Sequence, residues 1–364
     1  MNRFTFFDSL RGIAAFIVLV GHYFPETYFK SLPVINLLSD TKLSVCIFFV
    51  LSGFVLMQVN KKYEINIFHL IMHGIARFIR LFIPVATVSV FVYIIYNLGF
   101  MSQSVLSENY TNWTVYQKIY AEPISFIQLI DFIFLEAFFF YDNTTTIIPP
   151  VWTMRPELFG SFVIFILLWV IYSLKLKINP LYLASLSIVI FLFYYLSVPF
   201  IYYFGFFLMG ASIRLYHDQN VNLKRISVYW LLLALFTKTV FEFINIDNIF
   251  LDFFFASLII FLILRCKSTH DLLDRKIFTF LGLISFPLYL LHVPIISSLG
   301  IYLFLIIDNF NVSVIIGQWI VFIVVALATV FLSYLLLNVE TFSINISRSI
   351  KKLIYSPYLI TNDD

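Results

Sequence analysis

The segment FFDSLRGIAAFIVLVGHYF (6–24) is an apolar run of the length of a membrane span, and it contains Arg11 and His22. Eleven residues at 100° each amount to about three helical turns, so both side chains lie on one helix face, about 16 Å apart along the axis. Asp8 lies on the same stripe. Ionisable groups within a span are costly and normally face the bundle interior or a watery cavity. These three residues are therefore candidates for function.

The whole chain has the composition of a polytopic membrane protein. Of its 364 residues, 61% are hydrophobic and only 12% are charged, and the mean hydropathy is +0.96. A soluble domain has about 25% charged residues. Apolar runs recur along the whole length, so no sizeable soluble domain is expected. The net charge of +3 is small; we expect membrane lipids, and no nucleic acid, among the partners.

Counting about 20 apolar residues for each crossing predicts ten spans in an all-α membrane helical bundle. Segment 124–141 is also apolar, but it contains Asp131 and Glu136, so we interpret it as a re-entrant or interfacial helix. We expect one transmembrane domain over 1–345 and a short cytoplasmic tail over 346–364. The ten predicted spans are 8–25, 42–59, 81–98, 157–174, 180–197, 200–216, 226–244, 249–265, 284–306 and 314–336.

The distribution of Lys and Arg predicts the orientation of these spans. With the N-terminus inside, all Lys and Arg but five would lie on the cytoplasmic side or in the inner half, which follows the positive-inside rule. The exceptions are Lys30, Lys42, Lys118, Arg155 and Lys238. An eleventh span at 124–141 would put Lys175 and Lys177 on the wrong side. We therefore predict cytoplasmic termini, with Arg11 toward the cytoplasm and His22 near the outer end of span one.

Two further motifs contain small or basic residues within or beside spans. In FFVLSGFVL (48–56), Ser52 and Gly53 are typical of close helix packing, and they could also form a narrow passage beside span one. In RFIRLFIP (77–84), Arg77 and Arg80 stand three apart at the cytoplasmic entrance to span three. They could be topology signals, or a phosphate clamp, because guanidinium binds phosphate oxygens in a bidentate manner.

Polar residues also accompany two later spans. PPVWTMRPELFGSF (149–162) contains Trp152 and Glu157 on the outer side, where Trp is common at the membrane interface. We expect the Glu157 carboxylate to orient His22 or to contact a sugar hydroxyl. In ISFPLYLLHVPI (284–295), spacings of four and three put polar residues on one helix face. They are Ser285, Tyr289 and His292, which are either satisfied core residues or substrate contacts.

The remaining chemically interesting residues give weak signals. Cys46 and Cys266 do not form the pattern of a disulfide framework or a metal site. His69 and His73 stand four apart but lack a third ligand, so no metal is predicted. Glu340 follows span ten, and we interpret it as a solvated end charge.

Five motifs follow one another in a fixed order along the chain. They are D-x-L-R-G-x-A-A (8–15) with His22 after it, FFVLSGF (48–54), R-x-x-R-x-x-x-P (77–84), W-T-x-x-x-E (152–157) and S-F-P-x-Y-L-x-H (285–292). Together they resemble the acyltransferase 3 family of bacterial membrane O-acyltransferases. The resemblance covers the chain from residue 6 to about residue 340.

The resemblance implies about ten spans and transfer of an acyl group, usually acetyl from acetyl-CoA, to a hydroxyl of an extracytoplasmic or lipid-linked glycan. O-antigen, exopolysaccharide and capsule are acceptors of this kind. It also implies the bacterial cytoplasmic membrane and the stand-alone form without an SGNH hydrolase-like domain. Arg11 and His22 match the family's R-x10-H motif, and Arg77 and Arg80 match its RxxR motif. The acyl chain, the acceptor and the oligomeric state, including a homo-oligomer, stay open.

On this basis we expect acetyl-CoA to enter from the cytoplasm, with its phosphates at Arg77 and Arg80 and Arg11 as a further cation. His22 would be the general base, and Glu157 or Asp8 would fix its tautomer or a nearby cation, as the third member of a triad does. Direct transfer and an acyl-enzyme are both compatible with the sequence. Further substrate contacts are expected from Asp8, Trp152, Tyr289 and His292.

Two other function classes compete with the transferase. A transporter or flippase could use Arg11 and His22 as a site for protons or for a lipid-linked or anionic solute, and it would not consume acetyl-CoA. A membrane scaffold would tolerate alanine at His22. The order of the motifs favours the transferase, and the absence of an apparent internal repeat gives no support to an inverted-repeat transporter.

Overall fold

The structure, a computed structural model, is helical, with no strand among the residues that it describes. These are residues 4–24, 36–58, 66–101, 120, 123–143, 145–196, 200–219, 225–244, 246, 248–310 and 312–359. Among the features predicted above, Lys30, Lys118 and the end of the tail, 360–364, lie outside the described residues.

The helices are numbered in chain order. They are α1 (Thr5–Tyr23), α2 (Thr41–Leu56), α3 (Ile67–Asn97), α4 (Phe126–Asp131), α5 (Met154–Ser173), α6 (Pro180–Phe191), α7 (Tyr203–Gln219), α8 (Val228–Phe243), α9 (Ile249–Arg265), α10 (Lys267–Leu273), α11 (Lys276–Ile295), α12 (Ile301–Asp308), α13 (Val314–Leu335) and α14 (Leu337–Leu359). A 3₁₀ turn, Pro149–Thr153, leads into α5, and a π-helical turn, Ile296–Gly300, joins α11 to α12.

Each of the ten predicted spans overlaps a helix, and span 284–306 includes the end of α11, the π-helical turn and most of α12. Among the described residues, five helical stretches are long and apolar enough to cross a membrane by themselves. Helices α9 and α10, bent by 94° at their junction, are a sixth if taken together. Helix α2 and the stretch from α6 to Tyr194 are apolar but shorter. The chain is a polytopic helical membrane protein, while the count of ten and the location of the termini stay predictions.

The bounds of α3 depart most from the predicted ones. This helix begins at Ile67 rather than at residue 81, because Asn66 caps it: its side chain accepts a hydrogen bond from the His69 backbone N–H. With 31 residues, α3 is about 46 Å long. Arg77 and Arg80 therefore lie well inside a helix rather than at the entrance to one.

The structure also shows the form of two segments that the apolar pattern alone does not determine, 124–141 and the predicted tail. Segment 124–141 is helical only over α4 and the π-helical turn Phe132–Glu136, which is too short to cross a membrane. Most of the predicted tail forms the second half of α14, which packs on α3. The end of the chain thus covers the first turns of α3.

Helix α1 lies at the centre of the bundle and runs parallel to α11. A Cβ added to Gly12 would lie 2.3 Å from the Leu281 carbonyl carbon, so the two backbones touch there. Further along, the ring centroids of His22 and His292 are 4.9 Å apart. We call the side of the bundle where α1 begins the Arg11 end and the opposite side the His22 end.

The two faces of α1 pack into separate apolar clusters. Ala15, Val18 and Leu19 belong to the cluster that joins α1 to α3, α11 and α13. Phe7 and Leu10 belong to the cluster that joins α1 to α2, α7 and α9. A helix between two clusters exposes little surface to lipid, which is why it can hold ionisable side chains.

Lys238, one of the five predicted exceptions, is buried in a cluster of carboxylates at the start of α2. Its Nζ lies 2.7 Å from Asp252 Oδ1, 2.8 Å from Glu242 Oε1 and 3.3 Å from Asp40 Oδ2. Asp40 also caps α2 by accepting from the Leu43 backbone N–H. A buried charge needs such partners, and these connect α8, α9 and the start of α2.

The contact of α1 with α11 predicts that Gly12→Ala destabilises the fold. The new methyl group would overlap the backbone at Leu281, and overpacking of this kind costs about 2 kcal/mol or more of the free energy of unfolding. Gly317→Ala is the control, because its Cβ would meet only the Ile307 side-chain methyl, at 3.1 Å. Thermal unfolding of the detergent-purified proteins measures the difference; equal melting temperatures would contradict the packing.

Candidate functional site

A cavity of about 190 Å³ lies between α1, α2, α3, α5, α11 and α14. Acidic, basic and hydroxyl side chains line it together with aromatic rings. The polar and aromatic lining residues are Asp8, Arg11, Phe48, Phe49, Ser52, Arg77, Arg80, Thr153, Glu157, Ser285, Phe286, Tyr289, Glu340 and Thr341. The cavity thus collects residues from motifs that are far apart in the sequence.

A buried ion pair forms the polar centre of this cavity. Arg77 Nη2 pairs with Glu157 Oε1, and Arg77 Nε donates a hydrogen bond to Ser161 Oγ at 3.0 Å. Ser52 Oγ donates to the same Glu157 oxygen at 2.5 Å and accepts from Arg11 Nη2 at 3.4 Å. The network connects α1, α2, α3 and α5 through one carboxylate.

Glu157 lies with Arg77 rather than with His22, so of its two expected contacts, the imidazole and a nearby cation, the structure has the cation. Its side-chain partners are Arg77 and Ser52. Helix α5 begins at Met154, so Glu157 lies in its first turn, where the carboxylate faces α3. The sequence indicated a polar residue at the start of a span, but it did not indicate which neighbouring helix that residue would face.

The role expected of Glu157 is taken by the backbone of α1. His22 Nδ1 lies 2.8 Å from the Val18 carbonyl oxygen. A carbonyl only accepts, so Nδ1 must carry the proton, and in the neutral imidazole Nε2 is then the basic nitrogen. The preceding helical turn therefore fixes the tautomer of His22.

His22 is not among the residues that line the cavity. Its ring lies against His292, and the His292 ring lies 5.8 Å from that of Tyr289, which does line the cavity. His292 is fully buried. A chain of three rings thus connects the cavity to His22.

The Tyr289 hydroxyl is held in place by the turn before α5. It donates to the Pro150 carbonyl at 3.2 Å and lies 3.1 Å from Thr153 Oγ1. Trp152, in the same turn, does not line the cavity; its ring lies 5.8 Å from that of Tyr203. Ser285 does line the cavity, so the predicted polar face of α11 is found there.

The sequence interpretation missed the contribution of α14. Glu340 lines the cavity and is partly buried, so its interpretation as a solvated end charge is wrong. Leu337, Thr341 and Ile344 accompany it on the same helix face. Their spacing of three and four residues is the signal that could have identified this face.

Comparison with known families settles the class of protein. A family model described as an acyltransferase domain, that of the acyltransferase 3 family, matches residues 4–338. The chain belongs to the acyltransferase 3 family. It is thus a membrane acyltransferase, which requires an acyl donor and an acceptor, and the resemblance drawn from the five motifs is confirmed. Neither the comparison with curated proteins nor that with solved structures finds a match.

The position of this family member's central ion pair predicts strong coupling between Arg77 and Glu157. Each single alanine variant leaves a charge buried without its partner, which costs about 3–5 kcal/mol of the free energy of unfolding. We expect the double variant to cost less than the sum by about 1 kcal/mol or more. Unfolding of the four purified proteins gives the coupling energy.

Arg214 and Asp218 form the matched control pair. They are four residues apart on α7, and Asp218 is partly exposed. Such a pair contributes about 0.5 kcal/mol. A coupling energy between Arg77 and Glu157 as small as that of the control would show that the buried pair does not stabilise the bundle.

Proposed function

We propose that this acyltransferase moves an acetyl group from acetyl-CoA to a hydroxyl of an extracytoplasmic or lipid-linked glycan, in the bacterial cytoplasmic membrane. The observation on which the proposal depends is the cavity that three guanidinium groups line, those of Arg11, Arg77 and Arg80. A donor with several phosphate groups suits such a lining, because guanidinium binds phosphate through paired hydrogen bonds. In this proposal the Arg11 end faces the cytoplasm.

Arg80 is the better candidate of the RxxR pair for a direct phosphate contact. It lines the cavity and forms no hydrogen bond or ion pair with any described residue. The Arg77 guanidinium is occupied by Glu157 and Ser161. Arg77 would then hold the cavity wall, while Arg80 offers its donors to the acyl donor.

His22 would act on the acceptor from the opposite end. Its Nε2, left basic by the Val18 contact, takes the proton of the acceptor hydroxyl as that oxygen attacks the thioester carbonyl carbon. The new ester bond forms as the carbon–sulfur bond breaks, and the CoA sulfur leaves as a thiolate that takes the proton back from the imidazolium. An acyl-enzyme would use the same base.

The rings between the cavity and His22 would determine how the thioester reaches the acceptor. The His292 ring is fully buried between the other two rings, and Tyr289 lines the cavity. We propose that both contact the substrates, with Trp152 toward the glycan and Asp8 toward the donor. Tyr289 and His292 would have to shift to admit the thioester.

The transporter or flippase is the weaker proposal. The family domain covers nearly the whole chain and is that of an acyltransferase. A transporter would move its solute without consuming acetyl-CoA, so measuring the consumption of acetyl-CoA distinguishes the two proposals.

His22→Ala is predicted to abolish acetylation of the glycan, because the variant loses the general base. Mass spectrometry of surface polysaccharides from cells that express each variant in a deletion strain gives both the acyl mass and the modified sugar. We expect the deletion strain and His22→Ala to lack the same acetyl groups. Normal acetylation by His22→Ala would exclude His22 as the base.

His217→Ala is the control for that experiment. This imidazole lies on α7 beside Asp218 and the Phe4 ring, outside the cavity. We expect it to support normal acetylation at an equal level of protein in the membrane. Release of CoA from acetyl-CoA by isolated membranes gives a second readout. We expect wild-type membranes to release CoA when the glycan is present, and membranes of the deletion strain not to release it. Wild-type membranes that release no CoA would favour the transporter.

A further inference from the structure

Helix α14 lies along the first turns of α3 and runs antiparallel to it. Leu336 and Val339, where α14 begins, lie near Pro84 and Val88 of α3, and the next turn of α14 faces the cavity beside Arg80. Most of α14 lies beyond residue 338, where the family match ends. This helix is therefore one wall of the site.

Lys351 lies on the face of α14 that continues from this wall. Ile344 lines the cavity, and Lys351 is seven residues further on, two turns and about 10 Å along the same face. The side chain is partly buried and forms no hydrogen bond or ion pair with any described residue. Its ammonium group therefore lies beyond the cavity lining, within electrostatic reach of His73, and no described residue of opposite charge pairs with it.

The surface that faces Lys351 is also basic. His73, Arg77 and Arg80 stand four and three residues apart on α3, which puts them on one side of that helix. Burial lowers the pKa of Lys351 to about 8, and the positive charges of Arg80 and Arg77 add to this effect. Lys351 thus lies close enough to both arginines to feel their charges.

Cations close together in a partly buried place repel one another, and this repulsion destabilises the fold unless an anion compensates it. Of the carboxylates nearby, Glu157 is bound to Arg77, and Glu340 and Asp8 lie within electrostatic reach of Arg80 but form no ion pair with it. An anion between Arg80 and Lys351 would remove the repulsion and pair both cations. The chemistry that fits is a phosphate group.

We propose that Lys351 and Arg80 together bind a phosphate group of the acyl donor, so that α14 completes the donor site. This inference depends on the proposed function, since the donor there is acetyl-CoA. Lys351 would then be a specificity-determining residue, because a thioester whose carrier has no phosphate group would gain no binding affinity from its ammonium group.

The test measures CoA binding by isothermal titration calorimetry to the full-length protein in detergent. Lys351→Ala should raise the Kd for CoA about tenfold, which is the effect expected of one charged hydrogen bond. Lys351→Arg should restore wild-type binding, because the charge and the donors return. Lys352→Ala is the matched control, since this neighbouring lysine is exposed. All four proteins should have the same melting temperature.

The pH dependence of binding separates a phosphate ligand from a structural lysine. A lysine with a pKa of about 8 is mostly protonated at pH 7 and mostly neutral at pH 9, so the wild-type affinity for CoA should fall several-fold over that range. Lys351→Arg keeps its charge and should show a clearly smaller fall. The groups that face Lys351 from α3 are His73, Arg77 and Arg80, and they are the same in both proteins.

The outcomes distinguish the two proposals. If the wild type does not bind CoA, the proposed donor is wrong and the role of Lys351 is lost with it. If the wild type binds CoA and Lys351→Ala binds it equally well, only the role of Lys351 is overturned. A Lys351→Ala protein that loses affinity together with its melting temperature, without rescue by Lys351→Arg, would also overturn that role.

Discussion

The pairing of Arg77 with Glu157 is the constraint on which the rest of the site depends. Either charge alone would be too costly inside an apolar bundle, and together they are tolerated only with further hydrogen bonds. Ser52 and Ser161 supply those bonds. Because the four side chains come from α2, α3 and α5, the pair can form only when these helices are in register. The same contacts that stabilise the bundle therefore shape its cavity.

Because of this pair, the three arginines that line the cavity differ in their partners. Arg77 is occupied, Arg11 reaches the network through Ser52, and Arg80 is left without a hydrogen bond or ion pair to a described residue. A guanidinium in that condition is available to an anion. The two arginines of one short motif thus differ in their surroundings, because Glu157 neutralises Arg77 while Arg80 lines the cavity without an ion pair to a described residue.

Much of the fold could be predicted from the periodicity of the sequence, but the contact partners of its buried charged side chains could not. The spacing of Arg11 and His22 gave their common face, and the apolar runs gave a helix for each predicted span, because both depend only on neighbouring residues. The partners of Glu157, Lys238 and Glu340 depend on contacts between distant segments. The tautomer of His22 was likewise set by the backbone of α1, whose carbonyl groups any sequence would offer.

The distance between the cavity and His22 has a mechanistic consequence. Arg11 lines the cavity, and His22 lies about 16 Å further along the same helix, beyond Tyr289 and His292. A donor whose charged part stays near Arg80 must therefore extend an uncharged arm through the apolar part of the bundle to reach the base. The pantetheine arm of CoA has this form: a neutral chain that ends in the thioester. In the proposed mechanism, the separation of the three arginines from the imidazole favours a donor whose charge and reactive group are far apart, and it would keep the phosphate groups out of the low-dielectric region where the ester forms.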